Sequence, residues 1–341
     1  MKCRNVVAIT VMVMLGIASA GAIVALCTNF SVKASAQNLP ALNNIPSDYH
    51  FVFGVNVQRL AKSSAFADLR QKMPAGSELA AFIEKTGVDP TRDVSYLIGA
   101  GPGKSMKGKE GVLIVVGKFN QDAIVSYIRS KSAPVEVQYG GVSLFMMPNP
   151  KTGDVNGGMA FLADNEIAVG NLTSLKAALD TRKDPSKSIV SDAAMSALLN
   201  DISPEEMFWF AGDATDVLSN MKATAPLAAT ASSIRNVVGK IDINDSAATV
   251  VGTITLTALD NDHAAKLTEA LRGLIALGQL SGNQNPGFKA LLGGLVISQD
   301  SARVSLALNF PVNTLGKLGG KNGWPDWRAK SSSRENTRVP A

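Results

Sequence analysis

Cysteine is nearly missing from this chain of 341 residues: Cys3 and Cys27 are the only two, and both lie within the first 36 positions. The rest of the chain therefore has no disulfide framework and no cysteine metal site, and a body this long can bury a core without such staples. Histidine is as scarce, with only His50 and His263. Two distant imidazoles lack the H-E-x-x-H spacing that puts a metal pair on one helix face. Long apolar runs are also rare, and the single one near the N-terminus excludes a polytopic membrane protein. Acidic or basic blocks are missing from the middle of the chain. The net charge of +5 arises at the ends: residues 1–36 carry three basic and no acidic groups, residues 317–341 six basic and two acidic, and the 280 between them 24 basic and 26 acidic. A near-neutral body argues against a basic nucleic-acid-binding face, so no nucleic-acid partner is expected.

The apolar run is Val6 to Cys27, preceded by Lys2 and Arg4. As a helix these 22 residues would extend about 33 Å, enough to cross a hydrocarbon core of about 30 Å. Positive charge ahead of the span orients the N-terminus inward and the body outward. Val6–Ile17 followed by Ala18-Ser19-Ala20 fits a cleaved signal peptide equally well, and Ala34-Ser35-Ala36 is a second cleavage candidate. Leu26 stands where bacterial lipidation prefers a small residue before Cys27. Anchor and signal peptide both export the body to the periplasmic side of a bacterial envelope, membrane-anchored or secreted.

The body divides at 37–200 and 201–320, after a leader at 1–36 and before a flexible basic tail at 321–341. Asn38 to Pro46 (NLPALNNIP) reads as a linker. Phe51–Val55 forms a strand, an amphipathic helix with Leu60, Phe66 and Leu69 follows, and a helix at 78–86 stops at Gly87. Strands at 93–99 and 111–118 precede a helix capped by Asn120, with Ala123, Ile124, Tyr127 and Ile128 on one face. Gly140-Gly141 and Asp164-Asn165 mark hairpin turns, and Leu172, Leu175 and Leu179 the next helix. The pattern then restarts. Ile202–Phe210 lies 157 residues after Ile45–Phe53 without a gap, with Ile, Phe and Phe identical. A broken helix at 224–233, a strand at 247–258, a helix opening at Asp260-Asn261-Asp262, a hairpin at 293–310 and a short C-terminal helix complete the second unit. The expected fold class is α+β: two related units of mainly antiparallel sheet with helices on one face, in β-α-β-β-α-β-β order, after one N-terminal hydrophobic helix. Phe51, Phe53, Phe208 and Phe210 alternate at period two and are expected to be the buried, helix-facing sides of equivalent strands, with Val52 and Trp209 pointing away.

Three phrases, Ile45–Leu60 (IPSDYHFVFGVNVQRL), Thr86–Gly101 (TGVDPTRDVSYLIGAG) and Phe161–Leu179 (FLADNEIAVGNLTSLKAAL), resemble uncharacterised exported bacterial envelope proteins with a duplicated α+β body. The resemblance implies export and the duplication, but no activity, and carries over no functional residue.

Apparent catalytic motifs fail on their own mechanics. Gly99 to Ser105 (GAGPGKS) leaves three residues between its glycines where a phosphate loop needs four, and the chain continues as loop through Lys107 and Lys109 instead of opening a helix. A dinucleotide fingerprint would want glycine where Lys104 sits. Ser219-Asn-Met-Lys222 and Lys151-Thr-Gly153 match acyl-transfer signatures in reversed order. Asp242-x-Asn244 and Asp260-x-Asp262 open like calcium loops, but Thr253 and Leu271 occupy the positions that need a bidentate Glu. Trp324 and Trp327 with Arg328 and Lys330 are a tail segment that could meet a membrane. No catalytic, cofactor-binding or metal-ligating residue is assigned, and no cofactor is expected. The leading reading is a non-enzymatic exported envelope protein that binds or scaffolds an extracytoplasmic protein or ligand, with the membrane reached through the N-terminal segment. The competing readings are a carboxylate-based hydrolase of cell-wall or lipid substrates and a carrier of lipophilic ligands.

Overall fold

The computed structural model describes residues 35–64, 66, 78–102, 110–148, 153, 155–214, 232–280 and 286–314. Residues 1–34 of the leader, Lys104 to Lys109, Lys151, Ser219, Lys222, 224–231 and the tail lie outside them. Among the described residues no helix is long and apolar enough to cross a membrane.

In chain order the elements are β1 (Phe51–Asn56), α1 (Val57–Lys62), α2 (Glu78–Thr86), α3 (Pro90–Asp93), β2 (Val94–Gly101), β3 (Val112–Gly117), α4 (Gln121–Lys131), β4 (Val135–Tyr139), β5 (Val142–Pro148), β6 (Val155–Ala163), β7 (Glu166–Gly170), α5 (Leu172–Lys183) and α6 (Ala193–Asn200). Then follow β8 (Phe208–Asp213), β9 (Ile234–Asn244), β10 (Thr249–Ala258), α7 (Asn261–Leu280), α8 (Pro286–Gly293), β11 (Leu295–Asp300) and β12 (Arg303–Pro311). The class is α+β, as expected. The 12 strands among the described residues form one antiparallel sheet ordered β11-β12-β10-β9-β8-β1-β2-β3-β7-β6-β5-β4. The two expected units thus share a single sheet, joined where β1 pairs with β8.

The strand order reads alike outward from that joint: β1-β2-β3-β7-β6 on one side and β8-β9-β10-β12-β11 on the other, with the β4–β5 hairpin extra. Phe53 lies opposite Phe210. The rings cross-pair in matching ways, Phe51 with Phe210 at 6.1 Å and Phe53 with Phe208 at 6.3 Å. Each central phenylalanine also faces a glycine on the next strand, Phe53 opposite Gly99 and Phe210 opposite Gly239. The pairing of β2 with β3 slips past Ser95, and that of β9 with β10 past Arg235.

Helices cover both faces of the first unit, which corrects the one-face expectation. Val52, Ile98, Ile114, Leu144 and Trp209 pack with α5 and α6. Val55, Leu97, Val115 and Phe145 pack on the opposite side with Ile124 of α4 and Phe82 of α2. The reason lies in the strands themselves: Val94–Gly101 and Val112–Gly117 are apolar at nearly every position, so neither face can be left to water. The same double covering overturns the expected burial at the joint. Val52 and Trp209 are fully buried, while the four phenylalanines are half-buried.

The segment expected to be a linker is instead part of the core. Ala36–Asn38 and Pro40–Asn44 form two short 3-10 turns whose Leu42, with Ile45, is fully buried. Its few apolar residues have no helical or strand period, but 3-10 turns still present them to the α5 side of the sheet.

Two turn residues sit in the left-handed region without being glycine, Ala248 (φ 51°) and Ser301 (φ 54°). Such a backbone crowds a Cβ, so Ala248→Gly and Ser301→Gly should each raise stability by about 0.5–1 kcal/mol, after allowing for glycine's greater freedom when unfolded. Urea unfolding of each variant measures this, and a lowered midpoint would contradict it.

Candidate functional site

The far end of the second unit is built from α7, α8 and β11. Asp260 caps α7, accepting the His263 N–H at 2.9 Å, and its carboxylate meets the His263 ring at 2.7 Å. These bonds hold the Asp260 carboxyl below the usual carboxylate range. His263 is therefore a capping residue. Ala264, Leu267 and Thr268 bury the first half of α7 against the sheet, beside Val237 and Val304. Thr268 also donates to Gln299 of β11 at 3.3 Å, which pins this half of the helix to the strand.

The second half of α7, Leu271–Leu280, is apolar around most of its circumference, so packing on one face leaves apolar side chains outside. Leu274 is 42% and Leu277 64% exposed. Phe288 of α8 (39%) continues the exposed apolar surface, while Val296 of β11 (63%) is exposed on the other face of the sheet. Gly278 lets Leu292 approach closely: a Cβ there would lie 2.5 Å from Leu292 Cδ1, so α8 locks onto α7 at that point. Between α7 and β11 an open cleft of about 210 Å³ is lined by Arg272, Ile275, Ala276, Gln279, Leu295 and Ile297. Its floor is apolar and its rim carries one guanidinium.

A second cleft, of about 400 Å³, opens beside Glu166 at the start of β7, between the Pro40–Asn44 turn and α5. Glu166 is buried, accepts from Asn44 Nδ2 at 2.8 Å and meets Arg182 at 3.3 Å. The amide and the cation compensate the buried carboxylate and tie the N-terminal turns to the sheet. Carboxylate hydrolysis needs two carboxyl groups flanking one bond. This lining holds one, so the cleft lends that reading no support.

The remaining sequence candidates are scattered. Gly99 and Gly101 belong to β2, which pairs directly with β3. His50 stands exposed just ahead of β1. Asp242 accepts from Arg59 Nε at 2.7 and 2.9 Å, and Asp245 from the backbone and hydroxyl of Ser64 at 3.0 Å, so these acids fasten α1 to the β9–β10 hairpin. Asn244 accepts from Ala247 N–H in the same turn. No group of three or more His, Cys, Asp or Glu among the described residues could hold a metal. Sequence reasoning missed Glu166, hidden in a turn signal, and the apolar half of α7, which reads as ordinary core.

These features define an α+β protein built on one large antiparallel sheet. No protein-family model and no curated protein matches the chain. Among solved structures it is similar to TP0453. Crystal form I gives a TM-score of 0.47 at 11% identity over 82% of this chain and 95% of that one, and crystal form III 0.49 at 11% over 80% and 95%.

Proposed function

We propose that this is a non-enzymatic exported protein of the bacterial envelope, anchored or released at its N-terminal segment, which binds or scaffolds an extracytoplasmic partner through the α7–α8–β11 end of its sheet. One observation carries the reading. Of the seven large apolar side chains exposed among the described residues, five (Leu259, Leu274, Leu277, Phe288 and Val296) lie in the stretch from the end of β10 to β11. Scattered apolar exposure is ordinary, but three of these side chains, Leu274, Leu277 and Phe288, gather on the α7–α8 pair, and such a concentration marks a contact surface. We also infer that the two units arose by internal duplication. The mirrored strand order, the cross-paired phenylalanines, the paired glycines and the two matching slips in register support it.

A photo-crosslinking residue placed at Leu277 or Val296 should give discrete adducts in the envelope fraction of the native host. The same residue at Val135, exposed at the far edge of the sheet, should not. Leu274→Asp should remove the adducts formed from position 277. Equal adducts from all three positions would overturn the proposal.

A further inference from the structure

We propose that the free edge of β11, roofed by the second half of α7, takes up an extended polypeptide segment as an added strand, apolar at alternate positions and carrying an acidic residue that meets Arg272. This rests on the reading of that end as the contact surface, and names the chemistry of its partner.

Among the described residues β11 is the outermost strand at its end of the sheet. The parity of its hydrogen bonds follows from its neighbours. Gly294 O accepts from Asn309 N at 3.2 Å, and the Ser301-Ala302 turn closes on the pair Asp300 and Arg303. Antiparallel ladders bond at alternate residues, so Gly294, Val296, Ser298 and Asp300 direct their main chain at β12. Leu295, Ile297 and Gln299 direct theirs outward. That row of N–H and C=O groups repeats every two residues, about 6.8 Å, a spacing that another polypeptide backbone matches and an acyl chain cannot.

The same alternation turns the side chains of Leu295 and Ile297 toward α7, where they floor the cleft beneath Ile275 and Ala276. A strand added at this edge would place every second side chain under the helix. The backbone row then supplies affinity, and the roofed cleft supplies selectivity for apolar residues. Arg272 stands exposed at the rim and makes no ion pair among the described residues, which favours an acidic residue on the incoming segment. The opposite edge of the sheet is protected. On β4 the outward-facing main chain belongs to Glu136 and Gln138, and Glu136 is held by Arg129 at 2.7 Å, a charged edge of the kind that discourages pairing.

The test uses the full-length chain in mild detergent and, as probe, a phage-displayed library of random peptides about ten residues long. Retained peptides should be apolar at alternate positions and carry Asp or Glu. Their binding should slow amide exchange at Leu295, Ile297 and Gln299 by at least about tenfold, and Arg272→Glu should weaken it by a similar factor. Ile297→Pro, which removes one outward N–H, should abolish binding. If that variant fails to fold, peptides N-methylated at alternate positions should show the same loss with the protein unaltered. Binding without protection on β11 overturns the proposal, as does a concentration-dependent dimer that protects those amides. No retained peptide, with crosslinks from Leu277 intact, overturns strand addition and leaves the contact surface standing. Peptide binding without any crosslink from Leu277 overturns the contact surface in the host instead.

Discussion

Trp209→Ala should lower the free energy of unfolding by about 3–5 kcal/mol, a large share of the roughly 5–15 kcal/mol that holds a domain folded. Trp209 on β8 is fully buried and lies across β1 to reach β2, where its indole N–H donates to the Tyr96 hydroxyl. Gly54 makes that crossing possible, since a Cβ there would sit 2.3 Å from Trp209 Cε2. One side chain therefore ties three strands together across the joint between the units. Burial pushes the Tyr96 phenol above the usual tyrosine range, so it remains a neutral hydroxyl at every pH where the protein would be handled.

Removing the indole empties a large volume and also leaves the Tyr96 hydroxyl without its buried donor, which alone costs about 1–3 kcal/mol. These two losses can be separated. Trp209→Phe restores most of the volume and should retain only the polar penalty, and adding Tyr96→Phe should relieve it, since both partners are then apolar. Gly54→Val should destabilise through the same contact from the other side, by about 1–3 kcal/mol. Urea unfolding followed by circular dichroism measures all of these. A loss below about 1 kcal/mol for Trp209→Ala would mean that the joint is not held by this residue.

How far such features could be read beforehand depends on how local their causes are. Gly87, Asn120, Gly140-Gly141 and Asp164-Asn165 act within one turn, and the elements they bound lie where expected. Strand β9 escaped notice because Ile234–Asn244 breaks its apolar alternation with Asn236, and because its Gly239 reads as a loop signal. That glycine is there for Phe210 on the neighbouring strand, a contact no local pattern records. The period-two phenylalanines correctly share one face. Which face is more deeply buried depends on α5 and α6, far away in sequence, and they bury Val52 and Trp209. The candidate site is the least legible part. That Leu277 is exposed and Leu267 buried, on the same helix, is decided by which neighbours α7 meets along its length. That β11 is an edge is decided by the pairing of the other strands.

Gly99→Val and Gly239→Val should each destabilise the fold by about 1–3 kcal/mol, and by amounts that agree within about 1 kcal/mol. A Cβ on Gly99 would lie 2.2 Å from Phe53 Cζ, and one on Gly239 would lie 2.1 Å from Phe210 Cε1. In both places a phenylalanine from the central strand lies flat over the glycine of its outer neighbour, and a branched side chain would force the ring off its packing. The two glycines lie on opposite sides of the joint, but the rings over them, Phe53 and Phe210, are cross-strand partners, so the double variant should depart from the sum of both effects, about 2–6 kcal/mol, by the coupling between those rings. Their partners give the sharper measurement. In a Phe53→Ala background the Gly99→Val penalty should largely vanish while the Gly239→Val penalty persists, and Phe210→Ala should do the reverse. If the two units descend from one ancestral unit, the same steric lock operates twice and the two cycles yield similar coupling energies. A penalty at one glycine and none at the other would show that the paired geometry is coincidental, and the inferred duplication would lose its most specific support.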